Sequence, residues 1–356
     1  MKFGTRPVRS IVSDPNQRHV FIVDQTMLPF ALEMRTLTVW QDAAEAIRAM
    51  RVRGAPLIGV TAAYGMAMAM AHDATDNALK VAHEGLLTTR PTAVNLAWAL
   101  NRMVNFLTAI DPPERADSAW AEATRIEQED VLTNKLIGKH GLTLLETLHR
   151  KHQRPINILT HCNAGRMACV EWGTATSLIY QAHQAGIPVH VWVDETRPRN
   201  QGLITQWEFE DAGVPHTYIT DNAGGHLMQH RNIDLVIVGA DRITAAGDVA
   251  NKIGTYLKAL AAHDNRIPFY VAAPVSTIDF SIQDGLADIE IEQRDAAEVR
   301  VIRGLDRKRM ICDLVLLDDD VVVNNPGFDI TPARLITGIL TQHGLFKPNS
   351  LNKIPR

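Results

Sequence analysis

The stretch NILTHCNAGRMACVEWGTA (residues 157–175) decides the fold. It opens on an apolar run too short for a helix, breaks on polar and small residues around Asn163 and Gly165, and then resumes a pattern that predicts a helix. A strand, a turn and a helix start form the first half of a βαβ unit, and Cys162 falls at the junction. Four similar runs follow: PVHVWVDET (188–196), HTYITDN (216–222), DLVIVGAD (234–241) and PFYVAAP (268–274). Their nearly continuous Val/Ile-rich character is what strands covered on both faces require. Alternation with helical stretches predicts right-handed crossovers in a doubly wound parallel sheet.

Upstream the period changes. Residues 40–51 and 92–110 carry apolar side chains at helical spacing, and 119–148 extends the trend with a weak interruption near Gly138 and Gly141. The exception is HVFIVDQTMLP (19–29), which predicts one strand near the N-terminus. The expected organisation is an α/β chain with a smaller, mainly helical N-terminal domain over 1–148 and a parallel-sheet catalytic domain over 149–356.

Composition narrows the function classes. The 356 residues are 46% hydrophobic, enough for sizeable cores, and the net charge of -4 argues against nucleic acid as a partner. Three cysteines without a C-x-x-C pair fit a reducing compartment. The start, MKFGTRPVRS, has no apolar signal core, so a cytoplasmic location is expected. Residues 54–71, GAPLIGVTAAYGMAMAMA, are uncharged, but a run of Ala, Gly and Met with a proline suits a helix buried in protein better than one in lipid.

In a parallel sheet the carboxyl ends of the strands share one edge, where ligands bind. The runs end there in His161-Cys162-Asn163, Asp194-Glu195-Thr196-Arg197, Asp221-Asn222 and Gly239-Ala240-Asp241, which makes this edge the expected active site. No strand is followed by G-x-G-x-x-G, and no G-x-x-x-x-G-K-[ST] loop occurs, which disfavours the usual nucleotide-binding modes. His226 and His230 are four apart without the glutamate of H-E-x-x-H, so no metal site is expected. His161 and Cys162, as strand neighbours, point to opposite faces and do not make a thiol-imidazole dyad. Two helix starts, NAGR (163–166) and RVRGAP (51–56), offer backbone N–H groups to an anion.

Eight segments then become specific: RVRGAPLIG, TTRPTAVNLAWAL, LTHCNAG, DETRPRNQG, IVGADRI, GDVANKIGTY, PFYVAAPVSTID and NPGFDITPARLIT. In this order they closely resemble the methylthioribose-1-phosphate isomerases, part of the family that includes the regulatory subunits of translation initiation factor 2B. The resemblance implies a Rossmann-like C-terminal domain, a homodimer, and no metal or organic cofactor. It implies that Cys162 and Asp241 are the catalytic pair. It also implies that Arg53, Gly54, Ala55, Arg90, Gln201, Asn251 and Lys252 contact a sugar phosphate. Cys169 and Cys312 lie in no matching motif and carry no expected role.

The implied chemistry, a step of methionine salvage, converts 5-methylthioribose 1-phosphate to its ketose. Phosphate on the anomeric carbon blocks spontaneous ring opening, so an acid is needed at the ring oxygen. Asp241, at the end of a buried apolar strand, is expected to stay protonated for that task. Cys162 is expected to assist hydrogen transfer from carbon 2 to carbon 1, either as a base or by stabilising charge while hydride moves. Nearby Arg53, Arg90 or a helix start would lower its pKa. The sequence departs from the family at LITQWE, one residue shorter than usual and without an arginine, and at Ala246 in place of asparagine. These changes keep 5-deoxyribose 1-phosphate and ribose 1,5-bisphosphate as alternative substrates, and a non-enzymatic regulatory subunit as a rival of another class.

Overall fold

The structure, a computed structural model, describes residues 9–90 and 93–355. It begins with three antiparallel strands, β1 (Ile11–Asp14), β2 (His19–Val23) and β3 (Met34–Leu37). The sequence predicts one strand here, and β2 is that strand. Its partners, IVSD and MRTL, are four residues long with polar alternation and leave too little apolar signal to stand out.

Five helices follow: α1 (Trp40–Arg48), α2 (Ala55–His72), α3 (Asp76–Leu87), α4 (Val94–Leu107) and α5 (Pro112–His152). The uncharged segment forms α2, buried on every side from Leu57 to Met70. Small residues make that possible. A Cβ on Gly59 would lie 2.9 Å from the Asn95 carbonyl oxygen, and one on Gly65 would press on Leu86 and Ala43. Among the described residues no helix is long and apolar enough to cross a membrane.

Helix α5 runs unbroken for 41 residues, so the expected interruption at Gly138 and Gly141 does not occur. Those glycines instead let α6 (Ser177–Gln184) approach: a Cβ on Gly138 would meet Ser177 Oγ at 2.2 Å, and one on Gly141 would meet Leu178 Cβ at 2.6 Å. The same helix packs on α2 with its first half, so it ties the helical layer to the sheet that follows.

That sheet is built from β4 (Ile156–Thr160), β5 (Val189–Asp194), β6 (His216–Ile219) and β7 (Leu235–Val238), then β10 (Phe269–Ala272), β15 (Gly338–Thr341) and β16 (Gly344–Phe346). Its order is β16-β15-β10-β7-β4-β5-β6, parallel except for β16. All five predicted parallel strands are present. Helices α7 (Gly202–Ala212) and α8 (Ala223–Gln229) follow β5 and β6, and α9 (Thr255–Asp264) precedes β10. A smaller four-stranded sheet joins β8 (Arg242–Thr244), β9 (Val249–Lys252), β11 (Ile278–Asp279) and β14 (Phe328–Thr331), and a hairpin pairs β12 (Val301–Leu305) with β13 (Ile311–Val315). The helix expected directly after Cys162 is replaced by a single 3-10 turn, Arg166–Ala168, and α6 starts only at Ser177.

Candidate active site

Strand β4 pairs with β5 on one side and with β7 on the other, Ile158 standing opposite Val191 and Leu235. The chain leaves β4 to build β5 and β6, then returns at β7 to build the other half. The carboxyl ends of β4 and β7 therefore flank the point where strand order reverses, and a crevice opens there. Cys162 lies just past β4 and Asp241 just past β7.

Both line one small cavity of about 70 Å³. The same cavity is lined by Arg53, Gly54 and Ala55 from the start of α2, Arg90 beyond α3, Gln201 at the start of α7, and Asn251 and Lys252 at the end of β9. The structure thus gathers all nine expected site residues. The small sheet exists at this place to present β9: Asn251 is fixed by Thr255 Oγ1 at 2.9 Å, and Lys252 donates to the Gly327 carbonyl at 2.9 Å while its ammonium lies 4.6 Å from the centre of the Phe328 ring.

Cys162 adopts a left-handed backbone, φ 67°, which costs a non-glycine residue about 1–3 kcal/mol and persists only when its surroundings enforce it. Two threonines do so. The Cys162 N–H donates to Thr196 Oγ1 at 2.8 Å, and Thr205 Oγ1 donates to the Cys162 carbonyl at 2.8 Å. Thr196 is held in turn by Asp221, whose carboxylate accepts the N–H groups of Thr196 and Arg197 at 2.9 and 2.8 Å. His161 turns away from the thiol, with Nδ1 3.2 Å from Asp194 and Nε2 2.9 Å from the Ile253 carbonyl oxygen.

The expected lowering of the Cys162 pKa is not what the site produces. Burial raises it, and although Lys252 and Arg53 pull it down, Asp241 adds to the rise and the balance is upward. Desolvation of an anion below the molecular surface outweighs two cations at this depth. Burial also lifts the Asp241 carboxyl above its ordinary range, against Lys252 and Arg90 and with help from Glu292. The same burial lowers Lys252 and pushes Arg53 down to about 10. Glu292, which sequence reasoning misses, accepts from Arg90 at 3.3 Å and from Arg294 at 2.6 Å. Its segment, IEIEQRD, alternates like an exposed edge strand, and nothing in that pattern points inward.

Of the two helix starts, one is already filled. The N–H groups of Arg166, the last residue of NAGR, and of Met167 just after it donate to the Glu208 carboxylate at 2.8 and 3.0 Å, so a side chain of α7 occupies that anion site. The start of α2 is different: the N–H groups of Gly54 and Ala55 have no hydrogen-bond partner among the described residues, and both residues face the cavity. Gln201, 5% exposed, likewise carries a buried Oε1 without a partner. Gly54 has φ 91°, and a Cβ there would lie 2.4 Å from Ala168 Cα. Gly54→Ala is therefore expected to lower the thermal unfolding temperature, the backbone alone costing about 1–3 kcal/mol. An unchanged melting curve would show that this segment relaxes freely.

Other clusters are less suited to catalysis. His226 on α8 and His230 just past its end are exposed and join no third metal-binding side chain among the described residues. His161, Asp194 and Asp221 converge within metal-binding distance, but the Lys258 ammonium lies 3.2 Å from Asp194 and 3.7 Å from Asp221, and supplies the positive charge there. A hollow of about 600 Å³ between α2, α4, α5 and β11 is far larger than the cavity, yet it holds neither Cys162 nor any of the cations around it.

A Rossmann-like sheet whose switch point carries a thiol, a carboxyl and three cations defines a class, and comparison places the chain within it. Residues 51–348 match the initiation factor 2 subunit family, and the chain belongs to that family. It is 57% identical to a methylthioribose-1-phosphate isomerase of Rhodospirillum centenum over 95% of this chain and 90% of that one. It is 55% identical to the enzyme of the same name from Methylorubrum populi, over 97% and 95%. Among solved structures it is similar to 5-methylthioribose 1-phosphate isomerase from Pyrococcus horikoshii (TM-score 0.84, 38% identity, 98% and 95% covered). It is also similar to the delta subunit of translation initiation factor eIF-2B from A. fulgidus (TM-score 0.78, 37% identity, 97% of each chain).

Proposed function

We propose that the chain is an aldose-ketose isomerase converting 5-methylthioribose 1-phosphate to 5-methylthioribulose 1-phosphate, a step of methionine salvage, working as a cytoplasmic homodimer. The observation that carries the reading is the cavity itself: Arg53, Arg90 and Lys252 surround it, uncommitted N–H groups open α2, and a thiol and a raised carboxyl stand on either side of the switch point. The names of the isomerases it resembles support the substrate.

In this reading the phosphate dianion lies among the cations and the α2 N–H groups, where charge-assisted hydrogen bonds are strong. Gln201 and Asn251 meet sugar hydroxyls. Asp241 gives its proton to the ring oxygen as the bond from that oxygen to carbon 1 breaks, and the phosphate stays attached. Hydrogen then moves from carbon 2 to carbon 1, and the hydroxyl proton on carbon 2 passes to the Asp241 carboxylate, which closes the cycle. A buried thiol with a raised pKa is a poor base, which favours hydride over proton transfer. The thiol then serves as a polarisable neighbour to the cationic carbon. Substrate deuterated at carbon 2 is therefore expected to retain the label in the product; washout into water would reverse that choice and make Cys162 the base.

The test of substrate is to compare initial rates of ketose 1-phosphate formation, by NMR, from methylthioribose 1-phosphate, 5-deoxyribose 1-phosphate and ribose 1,5-bisphosphate. The first is expected to be fastest. The margin over the deoxy sugar is small, since a methylthiomethyl against a methyl pocket is worth about 1–3 kcal/mol. A preference for the bisphosphate would overturn the assignment.

A further inference from the structure

A cavity of about 70 Å³ is closed to a pentose phosphate, since sites that take small ligands span about 300–1,000 Å³. Something must open, and of the hollows beside it two are large enough to offer a way in. We propose that substrate enters through the pocket between Leu203 and Ile302, and that the Arg53 side chain is the movable wall between that vestibule and the catalytic cavity. The proposal rests on the isomerase reading above.

The vestibule measures about 320 Å³ and shares Arg53 with the cavity. Arg53 lines the catalytic cavity together with Cys162 and Arg90, and the vestibule together with Arg199 and Glu298, which puts it between the two spaces. It is lightly tethered. Its side chain makes one long hydrogen bond, 3.4 Å to the Gln25 carbonyl oxygen, and no ion pair among the described residues. The two other guanidinium groups of the vestibule are tied down, Arg199 to Glu298 at 2.9 Å and Arg303 to Asp313 at 2.7 Å. Those pairs cancel, and Arg53 leaves the vestibule net positive. Gln25, 1% exposed, and Asn200 also line it, and each carries a buried side-chain oxygen with no partner, ready to accept from a sugar hydroxyl in transit.

The larger hollow offers no comparable charge. Among its lining residues Asp279 is paired with Arg242 and Glu129 with Arg102, and burial pushes the Asp130 carboxyl up to about 7. A phosphate dianion finds no free cation on that side and is drawn to the vestibule, and focusing of this kind raises on-rates by about 10-fold or more.

Three variants of the whole chain separate the routes: Leu203→Trp fills the vestibule, Arg303→Glu reverses a charge on its exposed rim, and Ala97→Trp fills the larger hollow. With methylthioribose 1-phosphate, Leu203→Trp is expected to cut kcat/KM by about 10-fold or more, and Arg303→Glu to cut it several-fold with a weaker salt dependence and unchanged kcat. Ala97→Trp is expected to stay at the wild-type value. Alkylation of Cys162 by iodoacetamide, read by mass spectrometry, gives a second readout that needs no turnover, and Leu203→Trp should slow it while Ala97→Trp does not. Wild-type values for both Leu203→Trp and Arg303→Glu, or the losses appearing in Ala97→Trp, overturn the route. If Leu203→Trp fails to fold, Arg303→Glu decides. A wild-type chain that turns over no sugar phosphate would sink the isomerase reading instead, and the alkylation rates would still decide the route.

Discussion

Asp241→Asn is expected to lower kcat by about 10²–10⁴-fold, the usual contribution of a positioned general acid. Asparagine keeps the size of the side chain and can still donate an N–H, but it cannot release a proton to the ring oxygen. The fold should not suffer. The Asp241 carboxyl is penalised by burial, and its side chain makes no hydrogen bond or ion pair among the described residues, so removing the charge is expected to leave stability unchanged or slightly higher. The pH profile adds a sign. The acid works protonated, and burial holds its pKa up; a bound phosphate dianion pushes it further up. Wild-type kcat therefore falls as pH rises through that value, and this alkaline limb disappears in the variant. Persistence of the same limb would assign it to another group.

Cys162→Ala is expected to lose about 10²–10³-fold in kcat, in line with removal of a single group that stabilises developing charge. Alanine meets the same left-handed backbone, and the Thr196 and Thr205 hydrogen bonds are to main-chain atoms, so the loop keeps its shape. Circular dichroism and melting temperature should match the wild type. If the variant kept its rate, the left-handed turn would be a feature of chain path only.

The core of the catalytic layer was legible because buried parallel strands carry a signal in every residue, as LVIV and FYVA do. The position of Cys162 and Asp241 at strand ends followed from the same runs. The smaller sheet was not legible, since RIT, VANK and FDIT are short and mixed in polarity, and FDIT comes from far along the chain to pair with VANK. Periodicity alone would never bring Lys252 beside Cys162; the resemblance of ANKIGTY supplied it. The misread helix after Cys162 has a definite cause: the N–H groups that would start it are taken by Glu208, 42 residues away from Arg166, and local pattern carries no trace of that carboxylate. The direction of the thiol pKa is hidden from the sequence for a similar reason. Sequence shows which cations are near in kind, while depth below the surface, which decides the balance here, is a property of the folded chain.

The central claim is that this cavity is the catalytic centre of a sugar 1-phosphate isomerase. The most direct test mixes the purified wild-type chain and Asp241→Asn in parallel with methylthioribose 1-phosphate and follows phosphorus NMR. The account predicts conversion to the ketose 1-phosphate by the wild type, and by the variant substrate binding with almost no conversion. A wild-type chain that binds the sugar phosphate without ever converting it, or a variant that converts it at the wild-type rate, would contradict the account.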